Sequence, residues 1–150
     1  MTTADLARTI REEQAALERV LDDLRRETAV IPRQHIAPWI ERIRGRFEHF
    51  RAHMVKHMAL EEDEGYLAPV LHKRPALTET VERLQHEHGE LLRLMNDMHA
   101  VLQEAGPHDR LVVRDFCERA RCLLAYIEHH EYEENLLLLD GVTRDFGTKD

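Results

Sequence analysis

Four long stretches of this 150-residue chain repeat apolar residues at alternating steps of three and four, and no stretch alternates apolar with polar residues at a step of two. The first runs from about Thr3 to Thr28 on Leu6, Ile10, Leu17, Leu21 and Leu24, and Pro32 closes it. The second begins near Ile36, with Pro38 in its first turn, and carries Ile36, Ile40, Ile43, Phe47, Phe50 and Met54 toward a stop near Gly65. A short piece from Tyr66 to His72 leads to Pro75. The third covers about Ala76 to Glu104 on Leu77, Val81, Leu84, Leu91, Met95, Met98 and Leu102, and Gly106-Pro107 stops it. The fourth starts near Asp109, a candidate N-cap, and shows Val113, Phe116, Ala120, Leu123, Ile127 and Leu137. Connections between these segments are short apart from the 65–75 stretch. The expected fold is therefore all-α, an antiparallel up-down-up-down four-helix bundle over residues 1–140 with an aperiodic C-terminal tail at 141–150.

Each stripe is interrupted by a polar residue where a core residue is due. In the second helix the series 43, 47, 50, 54 continues to His57 and Glu61, and in the fourth 116, 120, 123, 127 continues to His130 and Glu134. In the third helix 77, 81, 84 reaches His88 before Leu91, and in the first 6, 10 reaches Gln14 before Leu17. Depths agree as well. Gln14 and His88 lie about 11 residues, or roughly 16 Å, from the starts of two helices that run the same way, and His57 and His130 lie about 21 residues from the starts of the two that run oppositely. All four interruptions can meet at one level of the core.

A buried layer of three imidazoles and two carboxylates is costly unless its members are paired or hold a cation. His-x-x-x-Glu sets both side chains on one helix face about 40° apart, within reach of the same or adjacent ions. Two such pairs on facing helices, with His88 from a third, point to a carboxylate-rich metal site of the kind found in helical bundles, and a mixed imidazole and carboxylate set suits iron or manganese. The set contains no thiolate, which argues against a Cys-type zinc site; Cys117 and Cys122, five apart on one helix, face different directions and read as reduced thiols. The alternative is a metal-free buried polar network. His129 and Glu133 repeat the ligand spacing but are rotated 100° off the stripe, so they rank second to His130 and Glu134; His53 is a lesser candidate for an extra ligand. His86 and Glu87 are expected at solvent or a helix interface, and His35, His72, His99 and His108 at the surface or in loops. Of the acidic run from Glu61 to Glu64 only Glu61 is taken as a ligand. The net charge of −8 without a basic stripe makes nucleic acid and anionic membranes poor partners, and the absence of an 18-residue apolar run or a leader-like start makes a cytoplasmic protein the expectation.

The motifs His57-Met58-Ala59-Leu60-Glu61-Glu62, Glu87-His88 followed by Leu91, and His130-Glu131-Tyr132-Glu133-Glu134-Asn135 resemble those of the hemerythrin-like (HHE cation-binding) family over about 135 residues. The stretches Gly65-Tyr66-Leu67-Ala68-Pro69-Val70 and Arg144-Asp145-Phe146-Gly147-Thr148-Lys149-Asp150 also look like those of a bacterial subgroup of such domains. The resemblance implies a non-haem di-iron centre with an open position for O2, nitric oxide or a related small ligand. It makes His57 and His130 terminal ligands, Glu61 and Glu134 bridges, and His88 the third-helix ligand. Two positions depart from the family. The first helix reads Glu13-Gln14 where a Glu-His pair is usual, and the third has Leu92 where the oxygen carriers have a second His. Gln14 offers a carbonyl oxygen or a hydrogen bond, and neutral amides bind iron weakly, so one iron or two remain open, with manganese or zinc as alternative ions. Three readings of function follow: a domain that binds or senses O2, nitric oxide or iron; a peroxidase or oxidase-type enzyme using the open metal positions; and a metal-free interaction bundle. No residue is assigned a catalytic role, and the oligomeric state is not legible.

Overall fold

The computed structural model describes the backbone of residues 3–63 and 67–147, and within these the side-chain surroundings of all but residues 3, 4, 6, 7, 10, 69 and 139–147. Leu6, Ile10 and the expected stop at Gly65 lie outside that set. The elements are α1 (Thr3–Ala29), α2 (Ile36–Glu61), α3 (Ala68–Lys73), a single 3-10 turn (Pro75–Leu77), α4 (Thr78–Glu104) and α5 (Arg110–Gly147), and no strand occurs among the described residues. None of these helices is long and apolar enough to cross a membrane.

The four long helices form the expected bundle. α1 packs on α2 and α5, and α4 packs on α2 and α5, so the four enclose a common core. Short connections at 30–35 and 105–109 make neighbours in sequence antiparallel. His35 takes the left-handed region (φ 57°, ψ 44°) to turn the chain into α2, a conformation that His tolerates better than branched residues do. At the same end of the bundle Arg44 ties down the α4 C-terminus, donating to the carbonyls of Leu102 at 3.1 Å and Ala105 at 2.6 Å. The Asp109 carbonyl receives the first α5 hydrogen bond, from Val113 N, while its carboxylate accepts from Gly106 N at 2.8 Å and closes the loop behind it.

Three corrections concern boundaries. The third long helix begins at Thr78 rather than Ala76, because Pro75 opens a 3-10 turn first. The short piece after α2 becomes a helix from Ala68. α5 continues to Gly147, through most of the stretch expected to be an aperiodic tail.

The core is divided. A large apolar cluster contains Leu17, Leu21, Leu24, Ile43, Phe47, Phe50, Met54, Leu91, Met95, Phe116 and Ile127, with Phe47 edge-on to Phe116 at 5.2 Å. A smaller one, Leu67, Val70, Val81, Leu84, Leu137 and Leu138, is roofed by α3 against α4 and α5. Along α4 the two clusters are separated by His88, and along α5 by residues 130–134.

Candidate metal centre

Between the two apolar clusters lies a layer of buried polar side chains: His57 and Glu61 from α2, His88 from α4, and His130, Glu131 and Glu134 from α5. The helical repeat places them there, since 57 and 61 sit one turn apart on α2, as do 130 and 134 on α5. His57 Nε2 lies 3.0 Å from Glu61 Oε1 and 2.9 Å from Glu131 Oε1. His88 Nε2 lies 3.0 Å from Glu134 Oε1 and 3.7 Å from Glu61 Oε1, and His130 Nε2 lies 2.7 Å from Glu134 Oε1. Two overlapping groups of four result, Glu61, His88, His130, Glu134 and His57, Glu61, Glu131, Glu134, in each of which one donor atom per residue lies within 4.8 Å of the others. Glu61 and Glu134 belong to both.

The outer nitrogens of the imidazoles meet a second ring of carboxylates. Glu62 Oε1 accepts from His88 Nδ1 at 3.1 Å, and Glu87 Oε1 accepts from His130 Nδ1 at 2.9 Å. Glu87 is itself held by Arg83 Nη1 at 2.9 Å, and Arg83 also bonds Glu133. Glu13 Oε2 stands 3.5 Å from His57 Nδ1, too far or too oblique to satisfy it, and that nitrogen has no hydrogen bond. A proton on Nδ1 held by a carboxylate leaves Nε2 with its lone pair facing inward, the arrangement that orients metal-binding histidines.

The layer fits a pair of cations better than it fits itself. Both Glu61 oxygens, Glu134 Oε2 and His130 Nε2 are buried and make no hydrogen bond, although imidazole and carboxylate atoms approach to 3.0 and 2.7 Å. Atoms that crowd together without pairing converge on points between them. Burial, with help from the Glu131 charge and against the His57 imidazole, pushes Glu61 up to about 7. Burial pulls His57 down, but the hydrogen bond to Glu131 and the adjacent Glu61 and Glu131 carboxylates outweigh it and raise the group to about 10. Burial, with the charge of His130 alongside and the Glu62 hydrogen bond opposing, holds His88 below its ordinary value. Left to itself the layer must hold protons to neutralise its carboxylates, and cations would do the same work while giving every stranded oxygen a partner. The donor set, three imidazoles and three carboxylates with no thiolate, suits iron or manganese.

All five residues taken as ligands from the stripe registers come together here. Gln14, half-buried, lines a groove between α1 and α5 together with Glu131, and its neighbour Glu13 approaches the His57 imidazole. Glu131 was missed because it stands one residue off the main stripe. The signal existed, since Cys117, Leu124 and Leu138 form a second buried row on α5 at intervals of seven, and Glu131 is its polar member. His129 and Glu133 pair with each other at 3.0 Å with the imidazole exposed, outside both groups. His99, expected at the surface, is half-buried and lies 3.1 Å from Glu48 across the α2–α4 interface. His53 stacks near His57 with ring centroids 6.5 Å apart but belongs to neither group. The family model described as Hemerythrin HHE cation binding domain matches residues 5–142. No curated protein and no solved structure matches the chain.

Proposed function

The chain belongs to the hemerythrin HHE cation-binding family, and on that premise we propose that it holds two iron ions bridged by Glu61 and Glu134 and uses them to bind a small ligand such as O2 or nitric oxide. The observation that carries the reading is the sharing of Glu61 and Glu134, with their unpartnered buried oxygens, between two groups of four donors. In this assignment His88 and His130 are terminal ligands of one ion, and His57 and Glu131 of the other. Iron supplies a reversible redox couple and an open coordination position. The chain supplies the rest. Glu62 and Glu87 orient His88 and His130, and Gln14, beside Glu131, offers a neutral hydrogen bond instead of a strong ligand. Met58, Leu91 and Ile127 on one side of the layer and Leu84 and Leu137 on the other keep bulk water from it.

Elemental analysis of protein purified without chelators tests the metal, with manganese and zinc as the competing outcomes. Near-ultraviolet absorbance of the iron-loaded protein tests the bridged pair, because carboxylate-bridged ferric ions absorb there and a metal-free bundle does not. A perturbation of that absorbance by nitric oxide is the expected sign of ligand binding. Peroxide turnover with a reducing dye would favour the peroxidase reading instead. Protein that takes up no metal from an iron, manganese or zinc solution would sink the proposal.

A further inference from the structure

A groove of about 540 Å³ runs between α1 and α5, lined by the buried Leu17 and Leu21 and the exposed Leu136. Its ionisable lining includes the carboxylates of Glu18, Asp22, Glu128 and Glu131, and Arg25 spans Asp22 and Glu128 at its edge. Glu131 is, among the described residues, the one member of both the groove wall and the donor groups of the layer. It is also the donor that solvent touches most. Its side chain is 11 % exposed, against 0 % for Glu61, 1 % for Glu134, 2 % for His57 and His130 and 5 % for His88.

We infer that this groove is the route by which the cation reaches the half of the centre formed by His57 and Glu131, with Glu131 acting as both ligand and door, so that the two halves exchange metal at different rates. The inference rests on the two-ion reading above. Size permits it, because a divalent ion with a six-water shell fills on the order of 200 Å³ at about 30 Å³ per water. Charge favours it, because an acidic mouth raises the local concentration of cations. The outer ring points the same way. His88 and His130 are each locked through Nδ1 by a carboxylate, whereas His57 Nδ1 is without a hydrogen bond. A second cavity, of about 350 Å³, meets the other half beside His130, but Glu87 stands there, hydrogen-bonded to both His130 and Arg83. The half behind Glu87 is closed and pre-oriented, and the half behind Glu131 is open and looser.

The test uses the full chain stripped of metal and reloaded with Co2+, whose visible spectrum reports coordination. Wild type is expected to take two equivalents and to release one to EDTA well before the other. Glu131→Ala should hold one equivalent, with the slow-releasing ion retained, and circular dichroism confirms the fold. Glu18→Arg reverses a charge at the exposed rim without touching a donor. It should keep two equivalents but load the fast-exchanging one about tenfold more slowly at low salt, with the difference shrinking as salt is added. Asn135→Trp, which fills the groove, should slow the same equivalent at every salt concentration. Two equivalents in Glu131→Ala, or unchanged loading in both Glu18→Arg and Asn135→Trp, overturns the inference while leaving the two-ion site standing. A wild type that binds no Co2+ removes the two-ion reading itself.

Discussion

Glu61→Leu should change the stability of this protein with opposite sign in the presence and absence of metal. The Glu61 side chain is fully buried, neither oxygen makes a hydrogen bond, and burial is what raises its proton affinity. Removing one partner of a buried ion pair ordinarily costs about 3–5 kcal/mol, because the other is left uncompensated. Here nothing is left so. His57 keeps Glu131 at 2.9 Å, and His88 keeps Glu134 at 3.0 Å and Glu62 at 3.1 Å. Leucine is close to glutamate in volume, and its burial between the two apolar clusters contributes about 2 kcal/mol. The metal-free variant is therefore expected to be about 1–2 kcal/mol more stable than wild type, at the lower end of what replacing buried ionic groups yields. For a chain of this length that is a rise in Tm of about 2–8 °C. With metal the order reverses. Wild type at a free metal concentration a hundredfold above Kd gains about 2.7 kcal/mol per site, whereas the variant, lacking a bridge common to both sites, gains little. Thermal unfolding followed by circular dichroism, in EDTA and then in excess metal, reads both halves. A metal-free Glu61→Leu that loses 3 kcal/mol or more would refute the reasoning, since it would make Glu61 a structural partner of the imidazoles and not an anion awaiting a cation.

Glu62→Ala and Glu87→Ala should leave metal stoichiometry intact and weaken affinity about 10- to 100-fold by freeing the imidazoles they orient. Glu134→Ala should abolish binding of both ions, and Glu133→Ala should leave metal content unchanged while costing at most about 1 kcal/mol through its exposed tie to Arg83; chelator competition separates the three cases. Gln14→His places an imidazole beside Glu131 in the α1–α5 groove, and imidazole is the stronger iron ligand, so retention of iron against a chelator should rise above that of the wild type. Cys122 is exposed and Cys117 buried, with burial pushing the Cys117 thiol up to about 11, so iodoacetamide at pH 8 should modify one thiol quickly and the second only after unfolding, as counted by mass spectrometry.

The bundle and most of its polar layer were legible because a helix buries one stripe, and a stripe read at steps of three and four names its members in order. His57, Glu61, His88, His130 and Glu134 are such members, and each is buried where the register put it. What the period cannot resolve is a choice between adjacent residues when a helix packs on more than one neighbour, since successive side chains are only 100° apart. α5 touches α1, α3 and α4, so its buried face is wide enough for two rows, and Glu131 in the second row falls within reach of His57. On α1 the same ambiguity lies between positions 13 and 14, which flank the step back from Leu17. Packing divides them: Glu13 turns toward His57 on α2, and Gln14 turns into the groove against α5. The two outcomes are connected. The residue step on α1 that carries no strong ligand faces the one place where α5 contributes a carboxylate beyond its main stripe. The shortage of donors on the first helix and the surplus on the last thus meet at a single point, the groove wall at Glu131, which is why substitutions at 14 and 131 should act on the same one of the two proposed ions.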